Sequence, residues 1–81
     1  MAIIKTFCMA GLHARPAAVF VKAVLDSGHG VSIGRPEGAL ADARSIVAVL
    51  GLDILPGEAV VLQCDDVELL DRLAAMLETN L

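Results

Sequence analysis

The segment that most restricts the fold is Ala59-Val60-Val61-Leu62-Gln63-Cys64. Six residues, five of them apolar, stand between the turn signal Pro56-Gly57 and the acidic pair Asp65-Asp66. The run is short and rich in valine, which favours a strand over a helix. A strand that is apolar at nearly every position belongs in the middle of a sheet. The rest of the chain must then supply neighbouring strands and helices to cover them. Ala2 to Cys8 reads as one strand, with Ile3, Thr6 and Phe7 favouring extended structure, and Val31 to Ile33 alternates as a second. Arg35-Pro36-Glu37-Gly38 is a turn, and Ala39 to Asp42 returns as a third strand of weak intrinsic preference.

Helical spacing appears in three places. A strongly apolar run predicts a helix from Ala14 to Asp26 that stops near Ser27-Gly28, where glycine accepts a left-handed cap. Ser45 to Gly51 is a short helix, apolar at nearly every position. Val67 to Glu78 carries an apolar stripe of Leu69, Leu70, Leu73, Met76 and Leu77, with Asp65 or Asp66 as its cap. The order strand, helix, strand, strand, helix, strand, helix predicts an α+β two-layer, open-faced sandwich. In it a four-stranded antiparallel sheet carries three helices on one face.

Eighty-one residues predict one domain, 1–81, near the lower size at which a core suffices without staples. Hydrophobic residues make up 57% of the chain but only two are aromatic, so the core must be built from Ala, Val, Leu and Ile. No apolar run approaches the roughly 18 residues needed to cross a bilayer, which argues against membrane insertion. The first residues lack the long apolar stretch and cleavage site of a secretory signal, and a cytoplasmic location is expected. Net charge is −4, with no basic stripe interleaved with aromatics, which argues against nucleic acid as a partner. Cys8 and Cys64 lack the paired spacing of a zinc site. They are expected to be buried, reduced thiols at opposite edges of the sheet, and no metal or cofactor is implied.

The chemistry concentrates in Gly11-Leu12-His13-Ala14-Arg15-Pro16-Ala17, where the first strand gives way to the first helix. With His13 as N-cap, Ala14 and Arg15 are the first helical positions and Pro16 falls where its missing N–H costs nothing. The unpaired N–H groups of the first turn make a receptor for an anion such as a phosphoryl group. Gly11 allows a sharp turn out of the strand, and the Arg15 guanidinium matches phosphate oxygens in charge and shape. An imidazole lone pair there is a nucleophile for phosphorus. Simpler readings exist for each residue. An isolated His13 is a capping or surface histidine, Arg15 alone is a solvated side chain, and Ser45 is an ordinary N-cap. His29, between Gly28 and Gly30, reads as an exposed loop residue. A Cys8/His13 thiol hydrolase would need a cleft, an orienting group and an oxyanion hole from a very short chain.

The segment Gly11 to Ala17, followed by Phe20-Val21-Lys22, resembles the active-site segment of the HPr family, the histidine-containing phosphocarriers of the phosphoenolpyruvate:sugar phosphotransferase system. About thirty residues on, Arg44-Ser45-Ile46-Val47-Ala48-Val49-Leu50-Gly51-Leu52 resembles the family's second segment. Pro56-Gly57-Glu58 and the strand after it also fit, so the likeness covers essentially the whole chain. The resemblance implies the strand order 1-4-2-3 and a carrier with no independent turnover. It implies that His13 accepts a phosphoryl group on Nδ1 (a pros-phosphohistidine), held by Arg15 and by the backbone N–H groups of Ala14 and Arg15. The implied donor is enzyme I and the implied acceptors are enzyme IIA domains of sugar transporters, docking on Ala14, Ala18, Ile46, Val47 and Leu50. Ser45 is implied as a regulatory site for a serine kinase/phosphorylase, and the carrier is expected to be a monomer. Two alternatives stand beside this reading: a paralogue in a regulatory or nitrogen-related phosphorelay, and a docking module regulated through Ser45. Many family members carry Asn, Asp or Ser where this chain has Ala10, and Gly51-Leu52-Asp53 departs from the usual order after the short helix.

Overall fold

The computed structural model describes residues 1–79. Seven elements follow in order: β1 (Ala2–Cys8), α1 (Ala14–Ser27), β2 (Val31–Gly34), β3 (Ala41–Asp42), α2 (Ile46–Gly51), β4 (Glu58–Cys64) and α3 (Val67–Glu78). The sheet order is β1-β4-β2-β3, with every neighbouring pair antiparallel. The apolar run that reads as a central strand is β4, which pairs with β1 from Ala2↔Cys64 to Cys8↔Glu58 and with β2 from Val31↔Cys64 to Gly34↔Val61.

Alternation along the strands sets which face the helices cover. In β1, Thr6 and Cys8 are buried while Ile3, Lys5 and Phe7 are exposed, and in β4 the buried set is Val60, Leu62 and Cys64. The buried face meets Ala17, Phe20, Val21 and Val24 of α1 and Leu69, Leu70, Leu73, Ala74 and Leu77 of α3. Phe20 is the one aromatic ring in this core, since Phe7 points to solvent. Its burial removes an area equivalent to about 1.5–3 kcal/mol.

The helix ends follow from local chemistry. Asp66 caps α3 by accepting from the Leu69 N–H at 3.2 Å, and Ser45 caps α2 by accepting from the Ala48 N–H at 3.2 Å. Each cap stabilises its helix by about 0.5–2 kcal/mol. Gly28 closes α1 in the left-handed region at φ 76°.

Two local expectations are corrected. The third strand is only Ala41–Asp42, with Ala39 and Leu40 exposed and outside the ladder. A Cβ on Gly34 would lie 2.5 Å from the Ala39 carbonyl oxygen, so the returning chain crosses over Gly34 before it enters the ladder. His29 is half-buried rather than free in its loop, with Nε2 at 3.2 Å from Asp66 Oδ2. It thereby joins the end of α1 to the cap of α3.

Candidate functional site

The turn between β1 and α1 rests on the segment that precedes β4. Leu12 is fully buried and its N–H donates to the Ile54 carbonyl at 3.0 Å, while Gly57 N–H donates to the Cys8 carbonyl at 2.7 Å. Gly11 has φ 73°, and a Cβ there would approach Ile54 O and Pro56 N to 3.0 Å each. Only glycine fits both the left-handed conformation and this close backbone approach. The turn is therefore anchored through backbone bonds, with Ala10 contributing no polar side chain.

His13 is the N-cap of α1, extended at φ −124° and ψ 150°, and no side-chain hydrogen bond caps the helix. Its imidazole is accordingly uncommitted to the backbone and 45% exposed. Ala14 follows at φ 48°, left-handed rather than helical, so the expectation of a regular first turn holds only from Arg15 onward. A left-handed alanine costs roughly 1–2 kcal/mol, which the anchored turn before it must hold in place. Arg15 is exposed and belongs to none of the ion pairs among the described residues.

The other basic residues near the two motifs are engaged. Lys22 Nζ lies 3.0 Å from Asp26 Oδ2, and Arg44 Nε lies 3.2 Å from Asp42 Oδ1. Of these three basic residues, Arg15 alone lacks a carboxylate partner among the described residues. Around it lies apolar surface: on α2, Val47 is 77% exposed and Ile46 and Leu50 are partly so, while Val49 points into the core. On α1, Ala14 and Ala18 are exposed. A shallow groove of about 410 Å³ runs between the two helices, lined by Ala18, Val21, Lys22, Leu25, Asp26 and Ile46. A second depression, about 220 Å³, lies between α1 and α3 around Ala23, Leu69 and Arg72 and does not include His13.

Sequence reasoning missed Asp53. Its Oδ1 lies 3.5 Å from His13 Nε2. Asp53 sits just past α2 with φ 53°, a conformation that aspartate tolerates better than most side chains. The signal available in the sequence was only a polar residue in a loop, forty positions from the histidine. Arg35 was missed as well. Its guanidinium donates to the Leu52 carbonyl at 2.8 Å, the Asp53 carbonyl at 3.0 Å and both Glu58 carboxylate oxygens at 2.8 and 2.9 Å. Glu58 also accepts from Leu55 N–H at 2.7 Å. The Arg35 guanidinium, with that N–H, holds the Glu58 carboxyl down to about 2.

Cys8 and Cys64 are both free and buried. Burial pushes the Cys8 thiol up, the reverse of what a nucleophilic thiolate needs. Among the described residues, no group of His, Cys, Asp and Glu is arranged to hold a metal ion, and no helix is long and apolar enough to cross a membrane.

Comparisons with known proteins bear on the family and the fold. The family model for the PTS HPr component phosphorylation site matches residues 5–79. The chain is 42% identical over 74 residues to the phosphocarrier protein HPr of Streptomyces coelicolor, covering 88% of this chain and 80% of the relative. It is 33% identical over 73 residues to the phosphocarrier protein NPr of Proteus mirabilis, covering 86% and 81%. The HPr-C-His structure from Thermoanaerobacter tengcongensis superposes with a TM-score of 0.87 at 26% identity, over 99% of this chain and 94% of that one.

Proposed function

We propose, since this chain belongs to the PTS HPr family of phosphocarriers, that His13 is the residue that carries the phosphoryl group. The observation that supports this most strongly is the imidazole at the head of α1, half exposed and bound by no cap hydrogen bond. It is free to react where helix N–H groups and Arg15 meet an anion. The phosphoryl group arrives from a phosphohistidine of enzyme I and leaves to a histidine of an enzyme IIA domain. Its transient place is on Nδ1, contacted by the Arg15 guanidinium and the N–H groups of Ala14 and Arg15. Transfer between two imidazoles is mainly a matter of positioning and charge stabilisation in the complex, so the carrier needs no pocket and turns nothing over alone. It acts as a cytoplasmic monomer.

Docking uses the apolar surface beside His13: Ala14 and Ala18 on α1 and Ile46, Val47 and Leu50 on α2. Ser45, at the head of α2, is a second phosphorylation site, addressed by a serine kinase/phosphorylase and acting on docking. The test of the carrier role is transfer from phosphoenolpyruvate through enzyme I. Wild-type protein should gain one acid-labile, alkali-stable phosphate, and His13→Ala should gain none while melting within a few degrees of wild type. A His13→Ala protein that still takes phosphate would remove His13 from this role.

A second reading places the chain in a nitrogen-related phosphorelay, and it is favoured by the likeness to NPr proteins of Proteus mirabilis and Klebsiella oxytoca. The higher identity to an HPr supports the sugar-transport branch. Offering the phosphorylated protein both kinds of enzyme IIA decides between them: the faster acceptor identifies the branch.

A further inference from the structure

Among the described residues, the carboxylate that meets the candidate acceptor is that of Asp53. Asp53 Oδ1 stands 3.5 Å from His13 Nε2, with the imidazole 45% and the carboxylate 76% exposed. Three features fix the backbone that carries this carboxylate. Asp53 N–H donates to the Leu50 carbonyl at 3.1 Å, closing the end of α2. Arg35 clamps the Leu52 and Asp53 carbonyls and is itself held by Glu58. The residues next to the pair, Leu12 and Ile54, are joined by a backbone hydrogen bond. A flexible surface carboxylate would sample many positions; this one is carried on a segment tied directly to the histidine's own turn.

We infer that Asp53 is a positioning residue for phosphoryl transfer at His13, an inference that rests on the reading of His13 as acceptor through Nδ1. Imidazole has one N–H in its neutral form, and the partner of one nitrogen decides which carries the proton. A carboxylate facing Nε2 keeps the proton there and leaves the Nδ1 lone pair free. In the transfer, that lone pair forms the new N–P bond while the donor's N–P bond breaks, its electron pair returning to the donor nitrogen. The Nε2 proton stays in place. The ring thereby becomes an N-phosphorylated imidazolium, and its new positive charge is met by Asp53 on the side away from the phosphoryl group. In the free protein water screens this contact, but a docked partner excludes water and strengthens it. The effect therefore falls on the transfer step rather than on folding.

Two variants separate charge, shape and backbone. Asp53→Gly removes the carboxylate and Asp53→Asn keeps a neutral acceptor, and both residue types accept the left-handed backbone, so both proteins should fold. Transfer from enzyme I is followed at saturating and limiting carrier, and the His13 ring tautomer is read from its ¹⁵N spectrum at alkaline pH. The expected result is a 5- to 20-fold lower saturated rate for Asp53→Gly with KM little changed. Asp53→Asn should fall between it and wild type, and the Nε2–H tautomer should lose population in the same order. One phosphate per chain should still reach His13 in both variants. Wild-type rates and tautomer populations in both variants would overturn the role, and so would a change confined to KM, which would make Asp53 a docking residue. Failure of the wild-type protein to take phosphate at His13 would instead remove the acceptor reading, a result distinct from either.

Discussion

Arg35 and Glu58 meet side-on, Nε to Oε1 at 2.8 Å and Nη2 to Oε2 at 2.9 Å, across the loop that faces His13. Because the Glu58 carboxyl is held down to about 2 in the folded chain, against about 4.3 for an unperturbed glutamate, folding favours its ionised form. The stabilisation is complete above about pH 5 and is lost as pH falls through the window down to about 2. Glu58→Gln should melt below wild type at pH 7 and converge on it toward pH 2. Melting curves across that range check this, and a constant gap at all pH values would show that the carboxylate charge is not what matters.

Ser45 separates stability from docking. Ser45→Ala loses the bond to Ala48 N–H and should cost about 0.5–2 kcal/mol. Ser45→Asp keeps a capping oxygen and adds charge at a helix N-terminus, where it is tolerated, so its melting temperature should stay close to wild type. Its phosphoryl acceptance should nevertheless be much slower, because a charge beside Ile46 and Val47 must be desolvated against a partner. Calorimetry and transfer kinetics on the two variants should thus rank them in opposite orders.

Gly11→Ala tests the anchor of the turn. The new Cβ meets backbone atoms of Ile54 and Pro56 at 3.0 Å in a left-handed conformation, and neither neighbour is a side chain that can swing away. The expected cost is about 2 kcal/mol, which for a domain of this size lowers Tm by roughly 10 °C. Thermal melts measure that loss, and transfer through His13 should slow with it.

Two free thiols should be found per chain. Cys8 pairs with Glu58 and Cys64 with Ala2 across the same two strands, which separates the cysteines by about 20 Å at ~3.4 Å per residue. No disulfide can span that distance. Thiol titration should give two groups in denaturant and slow reaction in the native state, since both are buried.

Much of this architecture is legible in the sequence where a periodic run ends on a strong local signal. β1 and α3 keep their expected bounds, and α1 departs by one residue, because alternation, an Asp66 cap and a left-handed Gly28 are local features. β3 was overextended because the obstacle is Gly34 meeting the Ala39 carbonyl, a contact between non-paired residues. His13 and its extended N-cap geometry were readable from the motif, but the left-handed Ala14 was not, since no alanine advertises such a conformation. Asp53 and the Arg35–Glu58 clamp were invisible for one reason: each partner lies more than twenty positions away, and only long-range contacts of the fold bring them together.

The turn carrying His13 hangs from residues 54 and 57, far along the chain. Closing so long a loop costs chain entropy that is recovered only when β1 and β4 zip together. A newly made polypeptide can form α1 early, from local contacts, yet its histidine at that moment lacks both the Leu12–Ile54 bond and the Asp53 carboxylate. The arrangement around His13 thus depends on the pairing of β1 with β4, and a helix signal alone does not report it.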